Sequence, residues 1–152
     1  MEMLRVAGDR RRYLPLLLCA DEQLDMVERY LDRGDLWVLD EEGVARAVCL
    51  VTDEGDGVLE IKNLAVAPAY RGRGWGRAMI EHVARVYAGS FQLLMVGTGD
   101  SPRTVPFYER CGFSRSHVVP DFFTEHYDHP IIEDGVLLRD MVYFVRPLAA
   151  GA

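Results

Sequence analysis

The sequence predicts an α+β fold, a sheet of mixed strand direction with helices packed on it. Three observations lead there. Apolar runs follow one another in the first half as a meander, "LWVLDEEGVARAVCLV" and then "VLEIKNLAV". An amphipathic helical stripe comes next, followed by the short apolar run "FQLLMVG" and a second helix. A meander feeding a strand–helix–strand–helix unit builds such a sheet. The 152 residues, 49% of them hydrophobic, suffice for one domain over residues 1–152 with a core of useful size.

Each element has its own signal. Met3 to Ala7 can extend as a first strand, and "YLPLLLCA" reads as a short buried helix rather than a signal segment, because the acidic "DEQLD" follows at once. Leu24, Val27 and Leu31 recur at helical spacing, with Asp21 as N-cap and Gly34 as the stop. Two strands flank a turn at Asp40 to Gly43, and "GDG" turns the chain into "VLEIKNLAV" as a further hairpin partner. Trp75, Met79, Ile80, Val83, Val86 and Tyr87 form the second stripe. "TVPFYERCG" is a short helix ending at Gly112, and "VLLRDMVYFV", Val136 to Val145, is a final strand.

Composition narrows the function. A net charge of −7 argues against duplex nucleic acid as a partner and suits a cationic one. No apolar run reaches the roughly 18 residues of a membrane span. Cys19, Cys49 and Cys111 are odd in number, widely spaced and without a CxxC pair, which points to reduced thiols and a cytoplasmic location. His117, His126 and His129, with Asp128 and Glu133, carry no recognised metal-ligand spacing, so no metal is expected.

The densest signal is "NLAVAPAYRGRGWGRAMIEHV", Asn63 to Val83. Three ligand-binding readings compete for its arginine- and glycine-rich turn. A P-loop needs lysine and then serine or threonine after the last glycine, and the chain gives Gly76-Arg77-Ala78. A dinucleotide fingerprint fits Gly72 and Gly74 but meets Arg77 at its third glycine. The third reading takes Arg71-x-x-Gly74-x-Gly76 as the entry to an amphipathic helix, whose free N–H groups and dipole form an anion site. Against all three stands a plain tight turn with solvated arginines.

This segment resembles the acetyl-CoA motif of the GNAT N-acetyltransferases, Arg/Gln-x-x-Gly-x-Gly/Ala. "LAVAPAY" is similar to the strand and loop before that motif, and "FYERCGF", Phe107 to Phe113, to the family's second motif. The likeness covers Val44 to Phe113, and the tail "DFFTEHYDHPIIEDGVLLRDMV" resembles that of a subgroup of small bacterial members. It implies a mostly antiparallel twisted sheet of six to seven strands with a splayed pair, flanked by about four helices. It implies acetyl-CoA as acyl donor, its pyrophosphate on the turn Arg71, Gly72, Arg73, Gly74, Trp75, Gly76, Arg77. Leu64, Ala65 and Val66 would pair with its pantetheine arm like an added strand, beside Phe107. An oxyanion donor would lie near Leu64 to Val66 at a bulge.

The resemblance further implies that Tyr108 is the general acid near the thioester sulfur; an unperturbed phenol, with a pKa of about 10, is protonated at neutral pH. The alternative is a core tyrosine. Glu60 lies eleven residues before Arg71, matching the glutamate base of one family branch. At roughly 13 Å from Leu64 along a strand it could act only through water. The alternative is a glutamate paired with Lys62. Asp100 either contacts substrate or simply ends its strand beside Ser101 and Thr104, which would cap the next helix. Phe123 and Tyr127 sit in a segment expected to line the acceptor pocket, or are core. The expected reaction is acetyl transfer to a small primary amine by direct attack in a ternary complex. Protein N-termini or lysines are the alternative acceptors, and a non-catalytic acyl-CoA-binding module is the alternative function. C-terminal edge strands suit a homodimer.

Overall fold

Seven strands form the main sheet of the computed structural model, which describes residues 1–148. In chain order the elements are β1 (Glu2–Arg5), α1 (Leu14–Leu17), α2 (Leu24–Glu28), β2 (Asp35–Glu41), β3 (Val44–Asp53) and β4 (Val58–Val66). Then come α3 (Trp75–Tyr87), β5 (Leu93–Gly99), α4 (Thr104–Arg110), β6 (Ser114–Val119), α5 (Phe122–His126), β7 (Ile132–Glu133), β8 (Val136–Leu137) and β9 (Met141–Pro147). The sheet order is β1-β2-β3-β4-β5-β9-β6, and β7 and β8 form a separate hairpin.

β2 and β3 meet in a two-residue turn, Glu42–Gly43, with positive φ at both positions, the form that matches strand twist. β3 reads as a continuous apolar run because both its faces are covered. Ala47, Cys49 and Val51 face one core, with Met79, Ile80 and Val83 of α3 and Tyr108 of α4. Val48 and Leu50 face the other, with Leu17 of α1 and Val27 of α2. Before β2 the chain turns at Gly34, φ +53°, where a Cβ would stand 1.9 Å from the Val51 carbonyl oxygen.

The pairing of β4 with β5 is parallel and holds only from Val58↔Leu93 to Ile61↔Val96. Beyond it the two strands part, so Lys62–Val66 and Gly97–Gly99 are not paired with each other. At the same point the β3–β4 register jumps from Leu50↔Asn63 to Val51↔Ile61, leaving Lys62 as the extra residue of a bulge. The bulge stands at Lys62, two residues before Leu64.

Several expectations are corrected. The first strand runs Glu2–Arg5, not to Ala7. β4 is a hairpin partner of β3 and lies parallel to β5, in keeping with the expected sheet of mixed direction. The single final strand Val136 to Val145 divides into β8 and β9, because Leu138 donates to the Ile131 carbonyl, Phe123 donates to the Arg139 carbonyl, and Asp140 accepts from the Asp121 amide. β6 and the β7–β8 hairpin had no counterpart in the sequence reading. Asp21 does not cap α2, whose N-cap is Gln23.

Candidate active site

The parting of β4 and β5 opens a cleft of about 900 Å³ that reaches both faces of the sheet. On the α3 face its wall includes Arg71, Gly72, Gly74, Trp75, Gly76 and Arg77. Gly74 precedes α3 in the left-handed conformation, φ +83°, and a Cβ there would meet nothing within 4 Å. The first bond of α3 runs from the Ala78 N–H to the Gly74 carbonyl. The amides of Trp75, Gly76 and Arg77 therefore have no partner inside the helix and stand at its positive end. Arg73 is not part of the wall; its guanidinium lies 4.9 Å from the ring centre of Tyr70.

The floor is the free edge of β4. The Ala67 N–H bonds the Arg46 carbonyl on β3. Antiparallel alternation then turns the N–H and C=O groups of Leu64 and Val66 the other way, into the cleft. Arg71 Nε donates to the Val66 oxygen at 3.3 Å. Ala65, between them, packs into the second core.

Tyr108 and Phe107 reach the same cleft from α4. Tyr108 is 8% exposed, among Phe107, Phe113 and Phe144. Burial pushes its pKa well above the usual phenol value. Among the described residues its hydroxyl has no hydrogen-bond partner in the chain. It is a protonated donor with its hydrogen uncommitted. Ser101 Oγ accepts from the Arg103 and Thr104 amides just before α4, but the N-cap position is Arg103, and the Thr104 hydroxyl donates to the Gly99 carbonyl rather than capping the helix.

Besides Arg73, two more predicted residues lie outside the wall. Glu60, in the paired part of β4, sets Oε2 3.1 Å from Lys62 Nζ, the partner its alternative reading named. Burial raises its pKa, and Lys62 opposes that rise. Asp100 is exposed and lies 4.0 Å from an Arg115 nitrogen. Phe123 and Tyr127 do line the cleft, on the side of α1 and α2. There Tyr127 donates to Asp21, which with Asn63 also lines the cleft, and Tyr30 links the two from behind; the sequence reading missed all three as site residues. Among the described residues no three His, Cys, Asp or Glu side chains gather as a metal site. His117 stacks on Tyr143, His126 lies against Phe122, and His129 bonds Glu22. Among the described residues no helix is long and apolar enough to cross a membrane.

A seven-stranded, mostly antiparallel sheet with one splayed parallel pair is the fold of the GNAT acetyltransferases. The family model for the acetyltransferase (GNAT) domain matches residues 32–115, and the chain belongs to that family of acetyltransferases. It is 31% identical over 129 residues to an uncharacterized N-acetyltransferase of Bacillus subtilis strain 168, YvbK, covering 84% of this chain and 83% of that one. Its structure superposes with a TM-score of 0.88 on an IAA acetyltransferase from Bacillus cereus ATCC 14579, at 30% identity, covering 97% and 99% of the two chains. A GNAT acetyltransferase from Elizabethkingia anophelis with acetyl-CoA bound gives 0.90 at 27% identity, covering 97% of each chain.

Proposed function

We propose that this acetyltransferase uses acetyl-CoA and moves the acetyl group to a small primary amine by direct attack in a ternary complex. The observation that carries the reading is the cleft through the sheet, with an anion-binding turn on the α3 face and an acidic, aromatic wall on the other. Donor and acceptor can thus enter from opposite sides and meet at the splay. The donor fits what the chain leaves unfilled: free first-turn amides, open space over Gly72 and Gly74, and a backbone edge at Leu64 and Val66 with no strand opposite.

In this reading the α3 amides, with Arg71 and Arg77, hold the pyrophosphate. Leu64 and Val66 pair with the amide-bearing arm, as a sheet edge pairs with an added strand. Acetyl-CoA supplies a thioester whose carbonyl the neutral amine attacks. A C–N bond forms and the C–S bond breaks. Tyr108 gives its proton to the departing sulfur and regains one from solvent, while the amine's surplus proton leaves to water. Backbone N–H groups at the splayed end of β4 face the developing oxyanion. Glu60 has no part in this reading, because its carboxylate is paired with Lys62 and Glu60 itself does not line the cleft.

Acetyl-CoA should raise the melting temperature by linkage, and Gly74→Asp should abolish the rise by putting a carboxylate where the pyrophosphate lies. Thiol release with a panel of amines then tests turnover. A folded Gly74→Asp protein that keeps the full rise would overturn the cofactor assignment.

A further inference from the structure

Asp21 sits in the loop between α1 and α2 and forms part of the cleft wall. Both its oxygens are held by hydroxyls: Tyr127 donates to Oδ1 at 2.7 Å and Tyr30 to Oδ2 at 3.0 Å. Tyr30 in turn accepts from Asn63 Nδ2 at 3.0 Å, and the same Nδ2 donates to the Leu17 carbonyl at 3.0 Å. Residues from α1, the α2 end, β4 and the segment after α5 therefore converge on one carboxylate.

That carboxylate lacks a cation. The nearby basic groups are taken elsewhere: Lys62 pairs with Glu60 and Glu54, and His129 with Glu22. Burial raises the Asp21 pKa, more than the two tyrosines lower it. A partly buried anion without a counter-charge is costly, and a purely structural network would be served as well by a neutral side chain. Asn63 adds an independent observation. It is 3% exposed, lines the same cleft, and its Oδ1 has no hydrogen-bond partner. An unpaired anion and an unpaired acceptor, bridged by the Tyr30 hydroxyl, both lack a positively charged donor. Of the other acidic residues of the wall, Glu22 bonds His129, and Glu133 and Asp134 both face Arg103, so among the described residues Asp21 is the wall carboxylate without a cationic partner.

We infer that Asp21, held by Tyr30 and Tyr127 and backed by Asn63, is the cation subsite of the acceptor pocket, so that the acceptor is a cationic amine. This rests on the acetyl-transfer reading above.

The test measures binding to the CoA-loaded protein by calorimetry, with putrescine as probe. Putrescine should bind, and Asp21→Asn should weaken it at least tenfold. The melting temperature of Asp21→Asn should stay level or rise, because an uncompensated buried charge is gone, and the rise given by acetyl-CoA should persist. A merely structural Asp21 predicts the opposite pair, lower stability with binding within twofold of the parent. Should Asp21→Asn fail to fold, the wild-type protein decides: putrescine should bind at least tenfold more tightly than gamma-aminobutyrate, which puts a carboxylate in place of one ammonium. Equal or reversed affinity, or no binding of putrescine, overturns the inference. If acetyl-CoA still stabilises the protein in that case, only the subsite is lost. If it does not, the transferase reading fails with it.

Discussion

Arg146 of β9 holds Glu81 of α3 at both carboxylate oxygens, Nη1 to Oε1 at 2.7 Å and Nη2 to Oε2 at 3.1 Å, and also donates to the Cys111 carbonyl at 3.1 Å. One guanidinium thus ties β9, α3 and the end of α4 together. The hydrogen bond from Arg146 lowers the Glu81 pKa below the ordinary carboxylate range. A lowered carboxyl pKa contributes stability above the unfolded pKa, and that stability is lost as pH falls through the folded value. Glu81→Gln should therefore cost about 0.5–1 kcal/mol near neutral pH, since the pair is partly exposed. Urea melts should show the difference from wild type shrinking as the pH is taken below the carboxylate range.

Tyr108→Phe should lower kcat by about 10²-fold, as for loss of a general acid. Its hydroxyl makes no bond within the described residues, so the melting temperature and acetyl-CoA affinity should barely move. The reverse pattern, full kcat with stability reduced by about 1 kcal/mol, would mark Tyr108 as a core tyrosine alone.

Glu60→Gln should leave kcat/KM within about threefold, because the carboxylate is paired with Lys62 and Glu60 itself does not line the cleft. A loss near 10²-fold that shrinks as pH rises would instead restore the water-relayed base.

Gly34→Ala should be among the most damaging single changes. The added Cβ would lie 1.9 Å from the Val51 oxygen, a backbone atom of a central strand that cannot swing aside. A cost of about 3 kcal/mol or more is expected, read from the denaturation midpoint at unchanged slope.

How much of this could be read from the chain depended on how local each cause was. The α3 turn was legible because positive φ at Gly72 and Gly74 prints itself as glycine. β3 was legible because a strand covered on both faces reads as an unbroken apolar run. β6 was not, since all six of its residues are exposed and no alternation is imposed on them. The Asp21 network was illegible for a different reason. Its contact with Tyr127 spans 106 positions, and an aspartate just before a helical stripe looks like a cap. Glu60 and Lys62 were readable as a pair from their spacing, but the bulge at Lys62 that separates the paired and open parts of β4 leaves no mark in the residues themselves.

The free edge of β4 also determines how its amides trade hydrogen with solvent. Ala65 and Ala67 turn their N–H groups to β3, while those of Leu64 and Val66 have no strand opposite. In heavy water, neighbouring positions of one continuous strand will therefore label at two different speeds, the unpartnered pair fast and the laddered pair slowly. That striped uptake is a fingerprint of a sheet left half-zipped. A molecule laid along β4 will erase it one amide at a time, so deuterium labelling can map where the guest's backbone-like arm lies without a crystal of the complex.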